Sequence, residues 1–308
     1  SDATKGWLPL EDDVTALEPV APTIQKGIFA FGYTSSVQSM SNLVTSAGVI
    51  GTDVTGVGTA RFYIGSTSYG ADKAIFAYGY QNATTTYVSM SNLVSNSGVV
   101  ASDVTGVGTV RKYLAAARYG TDKAIFAYGD NASTNLSMSN LVSNSGVIAE
   151  DVTGVGTARA GLAASSYGGD KAIFAYGYTG SQSNLVNNSG VIAADVTGVG
   201  TARYGLAAAS YGGDKGIFAF GFSSGNKSMS NLVSNSGVIA SDVTGVGTAR
   251  QQLAATNYGG DKAMFAYGYV DATVSLKNLV SNSGVVASDV TGVGTERRLL
   301  GAAGYALG

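Results

Sequence analysis

Six aspartates and six arginines, one of each to a repeat, are the obvious places to look for chemistry in this chain. Asp53, Asp103, Asp151, Asp195, Asp242 and Asp289 each open the phrase Asp-Val-Thr-Gly-Val-Gly-Thr. An arginine stands eight residues after each: Arg61, Arg111, Arg159, Arg203, Arg250 and Arg297. The chain has no histidine and no cysteine. That removes Ser-His and Cys-His nucleophiles and the conventional zinc and copper ligand sets. A glycosidase needs two carboxyl groups in unequal environments, whereas each of these is one of six equivalents. The Gly-Val-Gly-Thr run lacks the lysine that a phosphate-binding loop places after its last glycine. The expectation is a protein that is not an enzyme and uses no cofactor and no metal. The Asp and Arg sets are expected to be structural, tying turn to strand or unit to unit. Such pairs, if buried, specify register more than they stabilise.

A second chemistry sits in the one segment that varies between repeats. It spans 33–38, 80–87, 130–136, 178–182, 222–227 and 269–274. Tyr33, Tyr80, Tyr87, Tyr178, Phe222 and Tyr269 stand there with Asn82, Asn131, Gln182 and Asn226. Aromatic faces stack on sugars while amides bond hydroxyls, and six weak sites on one face would add up through avidity. The plainer role for the leading Tyr or Phe is to close a strand.

The elements that must hold these residues follow from the repeat. Ile-Phe-Ala-Tyr-Gly recurs with small changes, its Phe at 29, 76, 126, 174, 218 and 265. The Asn of Asn-Leu-Val falls at 42, 92, 140, 184, 231 and 278. From each of the first five Asn to the next Phe the step is always 34 residues, while Phe to Asn varies from 10 to 16. All length change is therefore confined to one loop. In one unit, 206–211 reads as a strand of small residues suited to a crowded centre. Residues 212–215 read as a tight turn with Gly supplying positive φ. Residues 216–221 read as a strand buried on both faces, and 228–233 and 238–243 as third and fourth strands. Four strands in about 47 residues make a propeller blade, and no helical period appears.

The ends fit the same frame. The position 34 beyond Asn278 is 312, four past Gly308, and 27–32 begins in mid-unit. Residues 299–305 supply the missing first strand. The expectation is an all-β, six-bladed β-propeller over 27–308 with four antiparallel strands per blade. It closes by pairing the C-terminal strand with 27–32, which hides sheet edges. Residues 1–26 are a different text, holding all three Pro and the only Trp. They read either as a disordered leader or as an extended arm that docks on a neighbouring subunit, with Trp7, Leu8 and Leu10 as apolar anchors.

Composition narrows the partners. Charged residues are 12% of the chain, the net charge is −2, and Gly numbers 44. This argues against nucleic acid or an anionic membrane as the main partner. No apolar run reaches the roughly 20 residues of a membrane helix, so no membrane insertion is expected. The N-terminus lacks a signal-peptide layout.

Asp-Val-Thr-Gly-Val-Gly resembles the Asp-x-Asn-x-Asp-Gly calcium loop of FG-GAP repeats in integrin-type propellers. Val246 and Arg250 stand where that family uses acidic residues, so calcium binding is expected to be lost. The stretch from Arg250 through Gly259-Gly260 to Gly268 is similar to a kelch repeat. Phrases such as Asn-Leu-Val-Ser-Asn-Ser-Gly-Val-Val-Ala (92–101) and Thr-Gly-Val-Gly-Thr-Ala-Arg (244–250) resemble kelch-like tandem repeats in structural proteins of tailed bacteriophages. That resemblance covers about 27–308. It implies a structural or interaction module of a virus particle, in a tail, fibre or capsid decoration, and it implies no reaction. The alternatives are a multivalent glycan-binding propeller using the variable loops, with host-surface polysaccharide as ligand, and a secreted or cell-surface adhesin or scaffold.

Overall fold

A computed structural model of the chain describes residues 25–81 and 86–306. The arm residues Trp7, Leu8 and Leu10, and the loop residue Asn82, lie outside the described residues. The described residues are all-β, with eighteen strands in six three-stranded antiparallel sheets.

The strands, numbered in chain order, fall into three classes. The innermost are β3 (Gly65–Tyr69), β6 (Ala115–Tyr119), β9 (Ala163–Tyr167), β12 (Ala207–Tyr211), β15 (Ala254–Tyr258) and β18 (Gly301–Tyr305). The middle strands are β1 (Lys26–Tyr33), β4 (Lys73–Gln81), β7 (Lys123–Ala127), β10 (Lys171–Ala175), β13 (Lys215–Ala219) and β16 (Lys262–Ala266). The third strands are β2 (Val37–Val44), β5 (Thr86–Val94), β8 (Ser139–Val142), β11 (Ser183–Val186), β14 (Ser230–Val233) and β17 (Lys277–Val280). Five sheets are built from consecutive strands, and the sixth is β18-β1-β2. In that sheet Lys26 pairs with Tyr305, Ile28 with Ala303 and Ala30 with Gly301.

Burial explains the classes. Each middle strand carries a Phe among small and branched apolar residues, and its core positions, such as Ala172–Ala175, are fully buried. Such a strand needs cover on both faces, which neighbouring sheets supply. The innermost strands β3, β6, β9, β12 and β15 alternate between buried and half-buried positions. Their Ala and Ser content allows six strands to crowd together: β3 lies beside β6, then β9, β12, β15 and β18 follow, and β18 lies beside β3. Six apolar clusters fill the intervals between successive sheets. One joins Phe29 and Val44 of the β18-β1-β2 sheet to Met264 and Tyr267 of the last repeat.

The sequence-expected fourth strand is not continuous. Residues 49–54 meet β2 through two isolated bridges, Val44 with Ile50 and Ser41 with Val54, and every unit repeats this pattern. Four residue steps on one side face three on the other, so the segment carries one extra residue, as in a β-bulge. The asparagine side chain spans the irregularity. Asn42 Nδ2 donates to Gly51 O at 3.0 Å and to Asp53 Oδ1 at 2.9 Å. The amide replaces the missing ladder bonds and turns the aspartate toward the neighbouring unit.

Candidate functional site

The Asp and Arg sets meet across units rather than within one. Arg111 lies at 4.0 Å from Asp151, Arg159 at 3.8 Å from Asp195 and Arg297 at 4.0 Å from Asp53. Arg61 with Asp103 and Arg250 with Asp289 follow the same pattern. Arg203 and Asp242 attract each other in the same arrangement, with Asp242 accepting from Thr201. The eight-residue spacing thus places an Asp and an Arg at opposite ends of one connector, each facing a different neighbour.

Each contact is a small socket. Asp195 accepts from the Thr157 amide and hydroxyl, the latter at 2.6 Å, and from Asn184 at 2.9 Å. Gly156, with φ of 74°, lies against this carboxylate, and a Cβ there would collide with Asp195 Oδ1 and Asn184 Nδ2. Arg159 stacks at 4.2 Å over the Tyr128 ring of the preceding sheet and donates to Asn184 Oδ1 at 2.6 Å in the following one. Four other units repeat the Arg-to-Asn bond. Arg61 is the exception: its Nη2 donates to Phe76 O, and Asn92 Oδ1 has no partner among the described residues.

The electrostatics agree with a joint that is buried on the arginine side and open to solvent on the aspartate side. Burial pushes the Arg61 and Arg250 guanidinium groups down to about 10, opposed by Asp103 and Asp289. For the six aspartates, burial acts to raise the pKa. Hydrogen bonds from Thr and Asn, with the facing arginine, outweigh it and hold the carboxyls below their usual range. These groups are spent on each other, which leaves little for a ligand. Among the described residues, no three acidic side chains converge as a metal ligand set.

The ring under each arginine carries strain. Phe31, Tyr78, Tyr128, Tyr176, Phe220 and Tyr267 have φ between 62° and 67°, a region costly for aromatic residues, and each precedes a Gly with φ between 104° and 116°. In β1 and β4 the ladder slips at this point. The kink carries the chain from the ladder into the variable loop.

Loop residues gather around one end of the innermost strands. Bridges join Tyr80 to Phe62, Asp130 to Lys112, Phe222 to Tyr204, Tyr269 to Gln251 and Tyr33 to Arg298. The residue that opens the loop therefore pairs with the residue just after the arginine. Tyr178 takes the same place, its amide donating to Ala160 O at 3.0 Å. Side chains form a belt on one side. Tyr33 packs on Phe62, Phe62 on Tyr63 and Tyr80, and Tyr63 on Tyr113 with ring centroids 3.8 Å apart. The belt continues through Tyr178 and Tyr204 to Phe222. Tyr178 is 45% exposed.

Charge is set into this belt. Lys112 Nζ lies 4.9–5.5 Å from the rings of Tyr63, Tyr80, Tyr87 and Tyr113. Burial alone would lower its pKa, but the Tyr87 hydroxyl and Asp130 raise it above the ordinary value. Arg298 lies 4.3 Å above Tyr269 and 5.6 Å from Tyr33. Gln182 bonds Thr179 within its loop, and Asn226 reaches Val270 O at 3.4 Å. Asn131 Oδ1 caps the Ser133 and Thr134 amides, so it serves its own turn.

Sequence reasoning missed Phe62, Tyr63, Lys112, Tyr113, Tyr204 and Arg298. The signal was present: the two residues after each arginine differ among repeats as much as the loops do, inside a segment of constant length. The second of these lines the axial cavity. Tyr63 N donates to Leu299 O, Leu299 to Gln252, Gln252 to Gly205, Gly205 to Gly161, Gly161 to Tyr113 and Tyr113 to Tyr63, at 2.7–3.3 Å. The six bonds return to their starting residue. All six donors have φ between 56° and 69°, which turns each amide toward its neighbour. Below them Ile64, Leu114, Leu162, Leu206, Leu253 and Leu300 line an apolar collar. A layer of small residues follows, then a polar far end.

No family model matches this chain, and no curated protein matches it. Among the described residues no helix is long and apolar enough to cross a membrane.

Proposed function

We propose that the chain is a non-enzymatic interaction module: a closed six-bladed β-propeller whose blades each gain a fourth, bridged segment. The cycle of backbone bonds from Tyr63 round to Tyr113, and the pairing of β18 with β1, support closure. The observation that carries the functional reading is a division of labour. The repeated Asp, Arg, Asn and Thr groups are consumed in joints between units, while unlike residues, many of them aromatic, collect at one end of the axis. A rigid frame with a differentiated rim suits recognition. The likeness of the repeat phrases to phage structural proteins favours a virion part, in a tail, fibre or capsid decoration. The arm with Trp7, Leu8 and Leu10 is the proposed contact to other virion or scaffold proteins. A secreted or cell-surface adhesin or scaffold is the cellular alternative. Mass spectrometry of purified, intact particles tests the virion reading; absence of the chain from them contradicts it.

The belt favours one further reading, glycan binding. Tyr113, Tyr178 and Tyr204 form a stepped aromatic surface near Gln182, and such surfaces stack on sugar rings. The belt is continuous over one arc, so a single extended site fits better than six equal ones. Host-surface polysaccharide is the proposed ligand class. A glycan array checks it: Tyr113→Ala and Tyr178→Ala should remove any signal, and an array without hits contradicts this reading.

A further inference from the structure

The polar end of the axial cavity carries one charged side chain among its six equivalent positions, Arg118. The equivalent lining positions in the other units are Ser68, Ser166, Ser210, Asn257 and Gly304, all small or neutral. Arg118 makes one side-chain hydrogen bond, Nη1 to Thr121 O at 3.2 Å, and no ion pair among the described residues. The carboxylates of the nearby hairpins are engaged elsewhere. Asp170 pairs with Lys171 at 2.8 Å, three other hairpin aspartates pair with the lysine that follows them, and Asp122 accepts from Asn144. Burial pushes the Arg118 guanidinium down, with no acidic group among the described residues to oppose it.

We propose that this end of the cavity is an oxyanion site, in which Arg118 and the hydroxyls of Ser68 and Ser210 take a carboxylate or phosphate group entering along the axis. A guanidinium left with free donors in a partly dehydrated polar pocket gains most from an anion that matches its fork. Ser166 Oγ donates to Arg118 O at 2.9 Å, so this hydroxyl fixes the backbone that carries the arginine rather than facing the anion. Asn257 Nδ2 donates to Ser210 Oγ at 3.3 Å, which leaves that hydroxyl proton free to turn toward an anion. The space at this end, about 470 Å³ counting the open solvent at its mouth, suits a single acidic group. The aromatic belt lies beyond the apolar collar at the other end, so this site is independent of glycan binding there.

Calorimetry on the full chain at low ionic strength, with sodium phosphate, sodium glucuronate and a sodium chloride control, tests the site. Saturable binding of phosphate or glucuronate above the chloride control is expected, and the tighter of the two identifies the group. Arg118→Ser restores the residue of three other units, so it should fold with an unchanged melting temperature and bind at least about tenfold more weakly. If the variant does not fold, the Arg118 side-chain Nε–H signal of the unmodified protein serves instead; it should shift saturably with phosphate or glucuronate. Absence of binding by both anions, equal affinity in a folded Arg118→Ser, or a static Nε–H signal overturns the proposal.

Discussion

At the scale of single residues, the joint between units is the feature with the largest expected consequences. Arg159→Ala removes the stack on Tyr128 and leaves Asn184 Oδ1 and the facing carboxylate without their cation. Asp195 keeps solvent and its Thr157 and Asn184 bonds, so the cost falls on the buried Asn184 acceptor. Leaving such a group unsatisfied costs about 1–3 kcal/mol, and urea unfolding should show a loss of at least that order. Gly156→Ala places a methyl against Asp195 at positive φ. A loss of at least about 1 kcal/mol is expected from backbone strain, with more from the displaced carboxylate. The six aspartates also set an acid limit. Their folded pKa values lie below the unfolded value of about 4, so the folded state holds fewer protons. The stability they add is fully present above about pH 4 and drains away as pH falls through the folded values. The urea midpoint should therefore stay level from pH 7 to 5 and drop steeply below 4, and a midpoint that does not fall would contradict the joint. The sequence named both partners of this joint. It hid the pairing, because a fixed spacing of eight along the chain says nothing about which neighbour each end of the connector faces.

At the scale of elements, the constant step of 34 residues and the variable loop respond differently to change. The loop tip at 131–134 is held by its own turn bonds, so a Gly-Ser-Gly insertion after Ser133 only lengthens a surface loop. Its effect on melting temperature should be within a few degrees. The same insertion after Val155 separates Asp151 from Thr157 and Arg159, which serve three different sheets between them. It should abolish cooperative unfolding near the native midpoint, as followed by circular dichroism. The three continuous strands per unit could be read from sequence because apolar and β-branched phrases announce them. The fourth could not be read as it stands. Its apolar residues Val238 and Ile239 look like a strand, but the extra residue before Val243 is bridged by the Asn231 amide, and a side chain spanning a bulge leaves no periodic trace. The rim was half legible for a similar reason: aromatic residues in variable loops stand out, whereas Tyr63, Lys112 and Tyr113 sit in a segment of fixed length.

At the scale of the whole molecule, the proposed ring depends on the last strand. Gly301–Tyr305 pairs with Lys26–Ala30, Leu299 joins the backbone cycle, and Arg297 and Thr295 engage Asn42 and Asp53. The sequence placed 299–305 beside 27–32 from the step length alone; the backbone cycle at the rim had no sequence signature beyond the spacing of the arginines. These contacts join the two ends of the chain across more than 240 residues, so closing the loop between them carries a high entropic cost. Removing residues 299–308 tests the ring most directly. Size-exclusion chromatography with light scattering, followed by urea unfolding, should find the truncated chain unfolded, or associated through its exposed β1 edge. A stable monomer with a native-like cooperative transition would contradict it.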